Sequence, residues 1–144
     1  MAGAAGGRIE FTVPGIPVGK GRARASTRGG KVRMFTPAKT VNYEALLRGF
    51  AFDAMHGAAP MSGPLRVTVS AVFPKAASWS KKKSAAAVWH TSRPDADNLV
   101  KCLDGLNGVV WGDDAQIASA SILKTYSLDG SAYLRVTVEP LGND

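Results

Sequence analysis

From Arg93 to Ile117 one stretch carries two patterns that few folds satisfy together. Leu99, Cys102, Leu103 and Leu106 recur at i, i+3, i+4 and i+7, the spacing of a helix with one buried face. Five of the chain's eleven acidic residues, Asp95, Asp97, Asp104, Asp113 and Asp114, fall within the same twenty positions. The spacing predicts a helix from about Asp97 to Asn107-Gly108. Pro94 restricts Arg93 to extended geometry, Asp95 or Asp97 can accept the free N–H groups of the first turn, and Gly108 suits a left-handed end. Asp97, Lys101 and Asp104 lie at i, i+4 and i+7, so they share a face displaced from the apolar one.

Gly108 to Gly112 makes a short connection, and Asp113-Asp114 stands directly before a strand running from about Gln116 to Tyr126. A short turn would bring that strand back beside the helix, with Asp113 or Asp114 near Asp95 and Asp97. Carboxylates gathered in this way repel one another unless a positive charge sits among them. An all-oxygen ligand set suits Mg²⁺ or Mn²⁺, whereas zinc would want His or Cys, and the two His and one Cys form no ligand-spaced pair. Each acid also has an ordinary explanation: a cap at Asp95 or Asp97, a solvated Asp104, turn residues at Asp113-Asp114. Those explanations weaken when all five are taken together, and the EF-hand spacing that would mean calcium is missing.

The segments Arg-Pro-Asp-Ala-Asp-Asn-Leu-Val-Lys (93–101), Leu-Asp-Gly-Leu-Asn-Gly (103–108) and Asp-Asp-Ala-Gln-Ile (113–117), with Lys124 beyond them, closely resemble the signature of the RusA family of Holliday junction resolvases. Val13-Pro14-Gly15-Ile16-Pro17, the following Lys-Gly-Arg-Ala-Arg, Phe35-Thr36-Pro37 and Trp79-Ser80-Lys81-Lys82-Lys83 are similar to its opening and middle, so roughly residues 8 to 139 are covered. The resemblance implies a homodimeric, Mg²⁺-dependent endonuclease, with Mn²⁺ as a substitute ion, that nicks opposed strands of a four-way DNA junction. It places the catalytic and metal-binding carboxylates at Asp95, Asp97 and Asp114 and the essential lysine at Lys101. Asp113, as a further metal ligand, and Asp104 and Lys124 also match the pattern. The short connection from Asn107 to Gly112 departs from longer members of the family.

The rest of the chain supplies positive charge. Between Glu10 and Glu44 there is no acid, while Lys20, Arg22, Arg24, Arg28, Lys31, Arg33 and Lys39 add seven cations to a glycine-rich segment. A mobile basic loop suits DNA phosphates, each of which releases counterions when neutralised; the ordinary alternative is a solvated loop. From Ala54 to Pro94 the only charges after Asp53 are again positive, Arg66, Lys75, Lys81, Lys82, Lys83 and Arg93. The DNA-contacting set is read as Lys20, Arg22, Arg24, Arg28, Lys31, Arg33, Lys81, Lys82, Lys83 and Lys124. A net charge of +7 on a chain that is 45% hydrophobic fits a folded protein with an anionic partner. No apolar run is long enough to cross a bilayer, and no glycine pattern forms a nucleotide fingerprint. The lone Cys102 falls on the buried helix face and agrees with a reducing cytoplasm; the resemblance implies a bacterial or prophage-encoded protein.

Alternation predicts strands at Ile9 to Val13, Leu65 to Phe73 and Tyr133 to Glu139, with a possible short arm at Lys31 to Phe35. Thr36-Pro37 reads as the cap of a helix to about Met55, buried through Tyr43, Leu46, Leu47, Phe50 and Ala54. Ser80 to Val88 reads as a short lysine-headed helix. His56 ends the long helix, and Trp79, Trp89 and His90 either pack down or touch DNA. On the third long strand, Ala118, Ala120 and Ile122 are read as one face, with Lys124 on the same side.

The order β-α-β-α-β-β implies an α+β, two-layer domain: a small mixed sheet with two main helices on one face and the other face free for a twofold partner. Residues 1–7 are expected to be a disordered leader, 8–140 a single domain and 141–144 a short tail. Two other readings stay open on the residues alone: a metal-dependent nuclease of flaps, forks or other branched DNA, and a basic DNA-binding protein whose acids are structural.

Overall fold

The computed structural model describes residues 7 to 142, so the leader before Gly7 and the last two residues of the tail lie outside the described set. Four strands build the main sheet: β1 (Ile9–Pro14), β4 (Leu65–Phe73), β5 (Ile117–Tyr126) and β6 (Tyr133–Pro140). Between β1 and β4 come a short pair, β2 (Arg24–Ser26) and β3 (Arg33–Phe35), and the long helix α1 (Ala38–Met55). Between β4 and β5 come α2 (Lys81–Ala86) and α3 (Ala96–Lys101).

The sheet order is β1-β6-β4-β5. β4 is parallel to β5 and antiparallel to β6, and β6 is antiparallel to β1, so the sheet is mixed as expected. Strand alternation puts Leu65, Val67, Val69, Ala71 and Phe73 of β4 on the buried face, with Leu134, Val136 and Val138 of β6 and Ile9, Phe11 and Val13 of β1. The opposite face is polar where the strands pair: Glu10 opposes Thr137, Thr12 opposes Arg135, Thr68 opposes Thr137 and Ser121. Its exceptions are Pro14, Val72 and Tyr133, which neighbour one another at one end with Val72 buried, and Leu123, which is exposed.

Against the apolar face lie α1 and the segment that begins with α3. Tyr43, Leu47, Ala51 and Met55 are buried at a regular four-residue step, and Phe50 and Ala54 pack at the margin. Leu46, expected inside, is instead 44% exposed. Position 46 lies about 100° round the helix from Leu47, toward solvent. Thr36 does not cap α1; Pro37 holds the cap position and makes no side-chain cap bond. The sequence places a proline where φ is already suitable for helix entry, and that suffices without a side-chain acceptor.

The expected helix over 97–107 is α-helical only through Lys101 and continues as a 3₁₀ turn over Cys102–Leu106. Leu99, Cys102, Leu103 and Leu106 are all buried, as their spacing requires. The turn ends with Gly108 at φ +83°, and Arg48 of α1 donates to the carbonyls of Gly105 and Asn107, at 2.9 and 3.1 Å. These bonds supply partners for terminal carbonyls that the tighter turn leaves free. Trp111 is fully buried and its Nε1 donates to Asn107 Oδ1 at 2.6 Å, so the short connection is a packed element of its own.

On β5 the face reading needs a correction. The register slips between Leu65 and Arg66, pairing Ile117 with Leu65 and Ser119 with Arg66. Ala118 is therefore the unpaired bulge residue, while Ala120, Ile122 and Lys124 follow Val67, Val69 and Ala71.

The exposure of Leu46 beside a fully buried Leu47 yields a direct comparison. Leu47→Ala is expected to cost about 2–5 kcal/mol in denaturant unfolding, whereas Leu46→Ala stays within roughly 0.5–1 kcal/mol. Equal losses would mean that the helix face is rotated from the one described.

Candidate active site

Asp95 occupies the N-cap position of α3, but its side chain makes no cap hydrogen bond and the residue is exposed. The ordinary explanation of this acid as a helix cap therefore fails. Asp97, also exposed, lies in the first turn and meets Lys101 Nζ at 3.6 Å. Such a surface pair contributes little to stability, in the range of about 0.3–0.5 kcal/mol. Asp95, Asp97 and Lys101 are thus presented to solvent rather than built into the core.

Asp113 caps the 3₁₀ turn Asp114–Gln116: its Oδ1 accepts from Ala115 N at 3.0 Å. That bond, and a further one with Asp114, hold its carboxyl below the usual aspartate range. Gln116 braces the same loop, a role that motif reading missed. Its Oε1 accepts from the amides of Gly112 and Asp113, and its Nε2 donates to the carbonyls of Met61 and Gly63. The signal available was only the position of an amide three residues after a candidate cap.

Asp114 is exposed, and its carboxyl is pushed up to about 6, first by hydrogen bonding with Asp104, then with Asp113, with repulsion from both adding to the effect. Asp104 in turn receives Lys20 Nζ at 3.0 Å, and the same ammonium lies 3.3 Å from Glu44 Oε2. Partial burial of Lys20 disfavours its charge, but the bond to Asp104 and the charges of Glu44 and Asp104 outweigh this and hold its pKa above the ordinary lysine value. Glu44 was not anticipated; it lay within a helix pattern as an unremarkable polar position.

Lys20 is therefore not a loose cation of the basic loop. Its backbone N–H donates to Asn98 O at 2.8 Å, Gly21 N–H donates to Thr40 Oγ1 at 2.8 Å, and Cys102 Sγ lies 3.1 Å from Val18 O. A Cβ at Gly19 would come within 2.6 Å of Pro94 Cβ, so only glycine permits this approach without displacement. Residues 18–21 thus form a strap between α1 and α3. Burial, followed by the charge of Glu44, pushes the Cys102 thiol up to about 12, which leaves it inert.

The remaining basic candidates divide by setting. Arg22, Lys31 and Arg33 are exposed around the β2–β3 hairpin, which realises the expected arm; the side chains of Arg24 and Arg28 lie outside the described set. Lys81, Lys82 and Lys83 are exposed on α2, with Ser80 Oγ capping the helix and Lys83 lying 4.7 Å from the Trp79 ring centroid. Lys124 donates to Ser92 O at 2.7 Å, and its carbonyl accepts from His90 N at 3.0 Å, so it anchors the chain leading into Asp95. His90 is buried and stacked on Phe73 with centroids 3.7 Å apart, a core role, while Trp89 is 62% exposed.

Among the described residues no three His, Cys, Asp or Glu side chains converge as a ready-made metal cage. The structure brings Asp114 to Asp104, and among the described residues neither Asp113 nor Asp114 joins Asp95 and Asp97 in one ligand group, contrary to the expectation from sequence. The donors are nonetheless all carboxylate oxygens, and the repulsion that pushes the Asp114 carboxyl up to about 6 is of the kind a cation would relieve. That chemistry fits Mg²⁺, which commonly uses one or two carboxylates and fills its other positions with water and substrate phosphate.

A model of the family described as "Endodeoxyribonuclease RusA" matches residues 14–139. The chain belongs to the RusA endodeoxyribonuclease family. It is also 38% identical over 126 residues to YqaN of Bacillus subtilis, described as an uncharacterised protein, with 83% of this chain and 88% of YqaN covered. The family match spans the strap, the arm, α3 and the Asp113-Asp114 loop. No helix among the described residues is long and apolar enough to cross a membrane.

Carboxyl titration provides a check on the acidic contacts. In metal-free protein, carbon-13 NMR is expected to find Asp114 titrating near pH 6, and Asp104→Asn to return it toward the ordinary aspartate range. Because the folded state raises this pKa, its contribution to stability is present at low pH and is lost as pH rises through about 6. An ordinary Asp114 titration would show that the Asp104 contact is absent in solution.

Proposed function

We propose that this member of the RusA family is a Mg²⁺-dependent endodeoxyribonuclease that resolves four-way DNA junctions by paired symmetric nicks. The observation that carries the reading is the solvent-facing Asp95 and Asp97 at the head of α3, with neither carboxylate committed to capping or core packing. The same helical segment then leads to Asp104 and its contact with Asp114.

In this reading Asp95, Asp97 and Asp114 hold the metal, with Asp113 able to offer its second oxygen. The ion, when bound, supplies an activated water and stabilises charge on the scissile phosphate. Lys101, one turn after Asp97, presents its ammonium to the phosphate or leaving oxygen. The Asp97–Lys101 pair is exposed, so the lysine can exchange partners at little cost. The β2–β3 arm and the lysines of α2 carry charge for the junction backbones, positioning DNA without reading its sequence. Lys124 serves the site by holding Ser92 and the chain before Asp95, in addition to any contact with DNA.

A twofold homodimer would present two such sites in the symmetry that paired incision requires. The open sheet face is rich in Ser and Thr, so a partner seated there would meet hydrogen-bonding groups around Leu123.

The decisive assay compares a synthetic four-way junction with linear duplex and a flap, in Mg²⁺ or EDTA. Symmetric nicks in the junction are expected only with Mg²⁺. Asp97→Asn should abolish them while junction binding persists, and Lys101→Ala should slow them by roughly 10²–10³, as for loss of one group facing developing charge. Preferential cutting of the flap would move the substrate to other branched DNA, and binding without cleavage in Mg²⁺ or Mn²⁺ would sink the catalytic reading.

A further inference from the structure

We infer that Lys20 is a positioning residue of the metal centre: it acts as a built-in counter-cation that occupies Asp104 and keeps that carboxylate from joining the ligands at Asp114. The inference rests on the proposed metal-dependent nuclease. It assigns a function to a lysine that sequence reading had placed among the DNA contacts.

The geometry separates Lys20 from the other cations of its segment. Arg22, Lys31 and Arg33 are exposed, but the Lys20 side chain is 29% exposed and is bracketed by two carboxylates, Asp104 at 3.0 Å and Glu44 at 3.3 Å. Its location does not depend on the side chain alone. The strap is bonded to α3 through Asn98 and to α1 through Thr40, and Gly19 sits directly against Pro94, one residue before Asp95. An ammonium intended for DNA phosphates would not be pinned between two acids on the protein side.

The chemistry follows from the position of Asp104. This residue touches both Lys20 and Asp114, so it stands between a fixed monovalent cation and a proposed metal ligand. A divalent ion at Asp114 would draw in any free carboxylate within reach, since Mg²⁺ favours anionic oxygen. An extra carboxylate would tighten the ion and fill a position needed for water or substrate phosphate. Lys20 prevents this by keeping Asp104 engaged. Loss of the ammonium should therefore make metal binding tighter and cleavage slower. Simple damage to the site would weaken both.

Removing Lys20 alone would leave the partly buried Glu44 without its partner. The comparison is therefore between Glu44→Gln and Glu44→Gln/Lys20→Met, with folding checked by thermal unfolding. Mn²⁺ affinity is read by electron paramagnetic resonance without DNA, alongside junction affinity in EDTA and single-turnover cleavage in Mg²⁺. The double variant is expected to bind Mn²⁺ on the order of tenfold tighter and to cleave at least about tenfold more slowly, with junction affinity little changed. Adding Asp104→Asn should return Mn²⁺ affinity toward that of Glu44→Gln. Unchanged or weaker Mn²⁺ binding in the double variant overturns the inference. So does a loss of junction affinity with metal affinity unchanged, which would make Lys20 a phosphate contact. Absence of cleavage by the wild-type protein would sink the nuclease reading, while the Mn²⁺ comparison would still decide the role of Lys20.

Discussion

The parallel pairing of β4 with β5 is the constraint on which the rest of the structure depends. Parallel neighbours cannot be joined by a tight turn, so the chain must leave the end of β4, cross the sheet and return to its starting edge. Residues 74–116 make that crossing. They carry α2, α3, the 3₁₀ turn and the Asp113-Asp114 loop, so every acidic candidate lies on a segment whose two ends are tied into adjacent strands. The apolar positions of α3 and its extension are buried against α1 and the sheet, which leaves the carboxylates on the outside.

Three side-chain anchors turn this crossing into a defined site. Lys124 reaches from β5 to Ser92, Gln116 ties the Asp113 loop to Met61 and Gly63, and Lys20 reaches across to Asp104. Lys20 and Lys124 were read from the sequence as DNA contacts and Gln116 was given no role, yet each makes a bond within the protein. Their common effect is to set where the carboxylates stand relative to one another. Precision of this kind would suit the proposed metal centre, which would complete itself with solvent and phosphate oxygens rather than with a closed cage of protein ligands.

Charge is divided between the two halves of the work. The acids are concentrated on the crossing, while the exposed cations lie on the β2–β3 arm and on α2. Negative carboxylates beside a DNA site would weaken binding, and the surrounding positive charge offsets that repulsion. Lys20 and Lys101 sit at the boundary of these regions, one committed to Asp104 and Glu44, the other loosely paired with Asp97.

Much of this was legible in the residues themselves. Alternation in β1, β4 and β6 and the 99-102-103-106 spacing specified which faces are buried, because solvent exclusion acts on local periodicity. The Asp95, Asp97, Lys101 and Asp113-Asp114 pattern marked the candidate site on which the proposed function rests. Tertiary structure alone decided the rest: the strand order, the bulge at Ala118, the exposure of Leu46, the pairing of Asp114 with Asp104, and the capture of Lys20 by Asp104 and Glu44. All depend on contacts between residues distant in sequence, and the capture of Lys20 by Asp104 alone joins residues 84 positions apart. Local pattern records which face of an element avoids water, but not which distant charge will be brought against it, since that is set only when the elements pack.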